Sequence, residues 1–153
     1  MVDNTLGKKR VLFLCTGNSA RSQMAEGLLR HHAGEIFEVF SAGLEAKGIN
    51  PYAIRAMDEL GIDIRGQRSK NTSEYMGQMF FHYVITVCGN ADKSCPQALW
   101  AQGGQKLHWP FEDPAAATGS DEEIMATFRE IRDQIDARIK VWLKELSPEA
   151  VSN

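Results

Sequence analysis

Apolar residues along the chain fall into two spacings. Val11-Leu12-Phe13-Leu14 is an unbroken apolar run of strand length that stops at Thr16-Gly17-Asn18, as expected of a strand covered on both faces. Met24, Ala25, Leu28 and Leu29 then recur at helical spacing through about Ala33, where Gly34 supplies a stop. A second strand is expected around Phe37 to Ala42. Asn50-Pro51 reads as an N-cap with proline at the first helical position, and Ile54, Met57 and Leu60 carry an apolar stripe to Gly61. The pattern further predicts a short helix in Thr72 to Met79, a β-branched buried strand over Tyr83 to Val87 and a weaker strand over Leu107 to Phe111. Ser120-Asp121-Glu122-Glu123 matches a capping box, and Ile124, Phe128, Ile131, Ile135, Ile139 and Trp142 make one face of a long final helix.

Strands alternating with helices imply an α/β fold with a parallel sheet covered on both faces, its ligands bound at the carboxyl ends of the strands. Those ends carry chemistry. Cys15 follows the first strand, Cys88 follows the Tyr83 to Val87 strand, and Asp113 follows the Leu107 to Phe111 strand. Residues distant in sequence should therefore meet at one sheet edge. A length of 153 residues with 43% hydrophobic content supports one domain over 1–153, with a core of about 8–146 and frayed ends.

A formal net charge of -3, from 17 basic and 20 acidic residues, offers no general attraction for nucleic acid or an anionic membrane. Lys8-Lys9-Arg10 before the first apolar run imitates a signal peptide, but the run is too short for a signal core or a membrane span. Three cysteines, an odd number, argue for reduced thiols in a cytoplasmic protein. No large association surface is apparent, so a monomer is expected. His31, His32, His82 and His108 show no ligand spacing with the cysteines, so no metal is expected.

The most specific signal is the loop Cys15-Thr16-Gly17-Asn18-Ser19-Ala20-Arg21-Ser22. Gly17 and Asn18 tolerate positive φ, which turns backbone N–H groups inward, and the following helix adds its positive end. Arg21 supplies a planar fork suited to tetrahedral oxyanions. The field that holds an anion also stabilises a thiolate, so Cys15 is expected to be nucleophilic at neutral pH. Ser22 is expected to donate to the Cys15 sulfur. Taken alone, Cys88 reads as a core cysteine and Asp113 before Pro114 as a turn residue.

The Cys15 to Ser22 loop, with Asp113-Pro114 later in the chain, resembles the low-molecular-weight protein tyrosine phosphatases over nearly the whole sequence. Within that superfamily Val84 through Pro96, with Cys88 and Cys95, looks like the redox segment of thioredoxin-coupled arsenate reductases. Gln23-Met24-Ala25-Glu26-Gly27, Ser41-Ala42-Gly43 and Asn50-Pro51 match that group as well. The resemblance implies a three-layer α/β/α fold with a four-stranded parallel sheet. It also implies that Cys15 attacks arsenate held by residues 16 to 22 while Asp113 acts as general acid. Cys88 then resolves the adduct, Cys95 accepts the disulfide, and thioredoxin restores the thiols, with no cofactor. Asn18, Ser41 and Glu26 are expected to support the loop. Some relatives hold potassium through residues matching these; here Arg68 and Lys70 stand where those relatives have a hydroxyl and a carboxylate, so that a lysine ammonium could replace the ion.

Two other readings stay open. Cys15, Arg21 and Asp113 suffice for a phosphatase, although Ala115-Ala116-Ala117 stand where phosphotyrosine enzymes of this fold commonly place aromatic residues. A non-catalytic thiol sensor using Cys88 and Cys95 as a redox switch is the other.

Overall fold

The computed structural model describes residues 7–75, 79–88 and 103–151. Strands β1 (Lys9–Cys15), β2 (Phe37–Gly43), β3 (Phe81–Thr86) and β4 (Gly103–His108) form one sheet in the order β2-β1-β3-β4, with every neighbouring pair parallel. Helices α1 (Arg21–Ala33), α2 (Pro51–Asp58) and α3 (Asp121–Val151) complete the regular structure, with short 3₁₀ turns at Thr72–Glu74 and Pro114–Ala116.

The central position of β1 accounts for its unbroken apolar run. Val11 and Phe13 join one core cluster with residues of all three helices, among them Met24, Leu28, Met57, Phe128 and Ile135. Leu12 and Leu14 point the other way, into a smaller cluster with Ala42, Phe81 and Val84, against which Phe40, Tyr75 and Met79 pack. Both faces of the strand are dry, and the hydrophobic effect fixes its register.

The helix signals hold at the level of individual atoms. Asn50 Oδ1 accepts from Tyr52 N at 2.8 Å, with Pro51 at the first helical position. At α3, Ser120 and Glu123 exchange reciprocal bonds of 2.9 and 3.1 Å. Two expectations shift. The Thr72 to Met79 helix is confined, among described residues, to the 3₁₀ turn at Thr72–Glu74. The last strand covers Gly103–His108 instead of Leu107 to Phe111. Trp109 N makes a final bond to Thr86 O at 2.8 Å, and Pro110, lacking an N–H, continues no ladder. Trp109 and Phe111 are buried as core residues of the connection, a role that apolar content alone does not separate from a strand.

Phe128 is fully buried and its ring lies 5.4 Å from that of Tyr52. Phe128→Ala is expected to cost about 3–5 kcal/mol, read in urea unfolding as a lower midpoint at an unchanged slope.

Candidate active site

β1 delivers Cys15 to the carboxyl end of the sheet, and the chain turns through residues 16–20 before α1 begins at Arg21. The turn is made at Asn18, whose φ of 47° is the only positive value at a non-glycine residue among those described. Gly17 was expected to share that conformation and does not. What it supplies is room, since a Cβ there would lie 3.3 Å from Lys47 Cδ. Gly43 is tighter still: a Cβ would stand 2.6 Å from Asn18 N and 2.8 Å from Thr16 O, so only glycine lets the end of β2 lie under the loop.

The loop is fastened from outside through its carbonyls. Thr16 O accepts from Glu45 N, Gly17 O from Lys47 N and Ser19 O from Asn50 N, at 3.0, 3.0 and 2.9 Å. Asn18 O accepts from Gln23 Nε2 at 3.1 Å and from Ser69 Oγ at 2.9 Å. With its carbonyls engaged outward, the loop turns the Asn18 N–H toward Cys15 Sγ, 3.2 Å away. The segment 45–50, Gln23 and Ser69 are supports that the sequence reading missed. For Gln23 a signal existed: a glutamine embedded in the apolar face of a predicted helix needs buried partners.

Asn18 is also the hub of a side-chain network. Its Oδ1 accepts from Lys70 N at 2.7 Å, and its Nδ2 donates to Ser22 Oγ at 2.8 Å and to Ser41 Oγ at 2.9 Å. Ser22 Oγ lies 2.8 Å from Cys15 Sγ. Since Ser22 accepts from Asn18, its own hydrogen is available to the sulfur, the direction that stabilises a thiolate. Ser41 Oγ in turn donates to Glu26 Oε1. Asn18, Ser22 and Ser41 are completely buried and Glu26 nearly so.

A potassium ion, which the sequence reading placed in doubt, does not suit the residues present. Lys70 Nζ lies 3.8 Å from Glu26 Oε1 and donates to Arg68 O, so an ammonium already stands beside the carboxylate that would hold a cation. Burial pushes the Lys70 ammonium below its ordinary range, and Glu26 opposes that shift. Arg68 itself points outward to Glu74 at 3.0 Å. Among the described residues no cluster of His, Cys, Asp and Glu suits a metal ion.

Arg21 is buried and reaches across to the connection after β4. Its Nη1 donates to Phe111 O at 3.0 Å, and its Nη2 stands 3.9 Å from Asp113 Oδ2. Asp113 Oδ1 accepts from Ala115 N at 3.0 Å, which caps the 3₁₀ turn and aims the other oxygen toward the arginine. The turn reading and the acid reading of Asp113 are thus compatible. Cys88 lies just past β3, where Val87 N bonds Leu14 O at 2.8 Å; its thiol donates to the same carbonyl at 3.6 Å and is 1% exposed. Cys15 and Cys88 are both buried cysteines at adjacent strand ends. Cys95 falls outside the described residues.

A family model described as low molecular weight phosphotyrosine protein phosphatase matches residues 10–152. An arsenate reductase of Halalkalibacterium halodurans is 47% identical over 137 residues, covering 90% of this chain and 96% of its own length. A solved structure of an arsenate reductase in the phosphate binding state superposes with a TM-score of 0.76 at 33% identity, covering 91% of this chain and 99% of that one. A thioredoxin-dependent arsenate reductase of Corynebacterium glutamicum gives a TM-score of 0.61 at 29% identity, covering 93% of this chain and 63% of that one.

Loss of the Ser22 donor should be visible without any substrate. Ser22→Ala is expected to slow iodoacetamide alkylation of Cys15 at pH 7 about tenfold, from a hydrogen bond to a charged group worth about 1.5 kcal/mol or more. Mass spectrometry of the Cys15 peptide reads the rate.

Proposed function

The chain belongs to the low-molecular-weight phosphotyrosine protein phosphatase family, and we propose that this member is an arsenate reductase working through Cys15, Cys88 and Cys95. The observation that carries the reading is the pairing of Cys15, set under the Asn18 and Ser22 donors, with a second buried thiol, Cys88, at the neighbouring strand end. A hydrolase needs only the first. The arsenate reductases among its relatives support the same choice.

Residues 16 to 22 and Arg21 hold arsenate, a tetrahedral oxyanion, over the sulfur. The Cys15 thiolate attacks arsenic while Asp113 gives its proton to the departing oxygen, which leaves as water, and a sulfur–arsenic bond forms. Cys88, as its thiolate, then attacks the Cys15 sulfur. The new S–S bond takes the place of the S–As bond, whose electron pair passes to arsenic, and arsenite leaves. Cys95 attacks Cys88, releases the Cys15 thiolate and moves the disulfide to Cys88 and Cys95. A thioredoxin dithiol reduces it, a role supported by the thioredoxin-dependent relative. Because Cys88 is held at the end of β3 next to the strand that carries Cys15, the second attack is intramolecular, which raises effective concentrations to about 10⁵ M or more in a favourable geometry.

A phosphatase would use the same Cys15, Arg21 and Asp113. Past Asp113, however, Pro114–Ala116 form a 3₁₀ turn on which Ala115 and Ala116 are exposed, and neither offers a ring to stack on an aryl ester. A small inorganic oxyanion suits that rim better, with weak hydrolysis of small phosphoesters as a side activity. The reaction belongs in a reducing compartment, the cytoplasm, with the protein acting as a monomer. Among the described residues no helix is long and apolar enough to cross a membrane.

Counting thiols tests the assignment directly. One equivalent of arsenate, given without external reductant, should reduce the free thiols of the chain from three to one, since a single disulfide consumes two; three surviving thiols would sink the relay and favour a phosphatase or passive binder. Cys88→Ser should abolish arsenate turnover yet keep any hydrolysis of p-nitrophenyl phosphate. Asp113→Asn should lower kcat by about 10²-fold or more in steady-state assays.

A further inference from the structure

Glu26 and Lys70 are buried, titratable and unused by the chemistry above. Glu26 has 7% and Lys70 5% of its side chain exposed, and both lie behind the loop at the far end of the network that reaches Cys15. The network has one permitted direction. A peptide N–H can only donate, so Lys70 N fixes Asn18 Oδ1 as the acceptor and directs Nδ2 toward Ser22 and Ser41. A carboxylate can only accept, so Glu26 draws the Ser41 hydrogen and leaves Ser41 Oγ to accept from Asn18. With both ends fixed, the Ser22 hydrogen is left for Cys15 Sγ.

The acceptor that fixes this direction carries a cost. Glu26 is a buried anion connected to the thiol by a few hydrogen bonds, and a second anion is harder to create near an uncompensated first one. Arg30 pairs with Glu26 at 2.5 Å, but its side chain is 45% exposed and its charge is partly screened by solvent. Tyr75, pushed up to about 12 chiefly by burial, stays neutral. Lys70 is the desolvated cation at the site, 3.8 Å from Glu26 Oε1.

We propose that Lys70 is a positioning residue for the nucleophile: its ammonium neutralises the Glu26 carboxylate, so that the hydrogen-bond chain delivers a donor to Cys15 without leaving net negative charge behind the thiolate. Lys70 touches neither the sulfur nor the oxyanion. It acts from behind the loop, through Glu26, Ser41, Asn18 and Ser22, as a built-in counter-ion carried by the segment that also anchors Asn18 with its backbone. The proposal rests on the reading of Cys15 as a nucleophile and on no later step of the relay.

The test is the rate of Cys15 alkylation by iodoacetamide at pH 7 in the full-length reduced protein, located by mass spectrometry, with thermal melts establishing that each variant is folded. Lys70→Gln keeps a donor for Arg68 O and removes the charge; it is expected to react about tenfold more slowly. Lys70→Arg keeps the charge and is expected to remain within about threefold of the parent. The double variant Glu26→Gln/Lys70→Gln, with both charges gone, is expected to recover most of the loss. Where Lys70→Gln does not fold, Lys70→Met gives the same reading, since it keeps the apolar stem. A Lys70→Gln rate equal to the parent's, or equal losses in the Gln and Arg variants, overturns the proposal. A parent protein whose Cys15 reacts no faster than a free thiol in a peptide overturns the nucleophile assignment instead, a result distinguishable from any Lys70 effect.

Discussion

The orientation of one buried amide governs the geometry around Cys15. Asn18 adopts a left-handed backbone conformation that costs a non-glycine residue about 1 kcal/mol or more, and its surroundings hold it there from every side. Its side chain is fixed at one end by Lys70 N and at the other by Ser22 and Ser41, while its carbonyl is held by Gln23 and Ser69. The strain is local and the restraints are distant in sequence. The loop's curvature is thus set by the protein's own contacts, and in the proposed reaction its donors would need little reorganisation to meet an oxyanion.

The same economy couples the Cys15 loop to Asp113. Arg21 is the first residue of α1, yet its guanidinium bonds the Phe111 carbonyl and approaches Asp113. One side chain thus positions the connection after β4 against a loop that follows β1, with β3 lying between the two strands. A planar fork, unlike a flexible ammonium, presents several donors in a fixed geometry, which suits a side chain that meets both the Phe111 carbonyl and the Asp113 carboxylate. Small residues enforce the fit from below, most of all Gly43, where any Cβ would strike the Asn18 peptide.

Local rules made part of this site legible in advance. An apolar run ending in a Gly-Asn turn located β1 and the loop, since burial on two faces leaves no polar alternation. Caps at Asn50 and Ser120 located α2 and α3, because their hydrogen bonds close within three residues. What could not be read depends on contacts between segments far apart. The lacing of the loop by residues 45–50, the support from Ser69 and the anchoring of Arg21 by Phe111 are backbone or single-atom contacts with no compositional signature. The fourth strand was misplaced for a related reason. Gly103–His108 is an edge strand with exposed polar residues, whereas the apolar Trp109 and Phe111 beyond it belong to the core underneath.

Burial of Cys88 argues for the order of events in the proposed relay. A thiol with 1% exposure whose hydrogen is engaged by Leu14 O is protected from bulk oxidants and from any protein-sized partner. In the proposed relay the sulfur that meets it is already inside the fold, Cys15 at the adjoining strand end. A disulfide between two buried cysteines would in turn be closed to a macromolecular reductant. In the proposed relay the electrons taken from Cys15 and Cys88 are repaid through a further thiol on the same stretch of chain. In the proposed relay that thiol is Cys95, seven positions after Cys88 in the sequence.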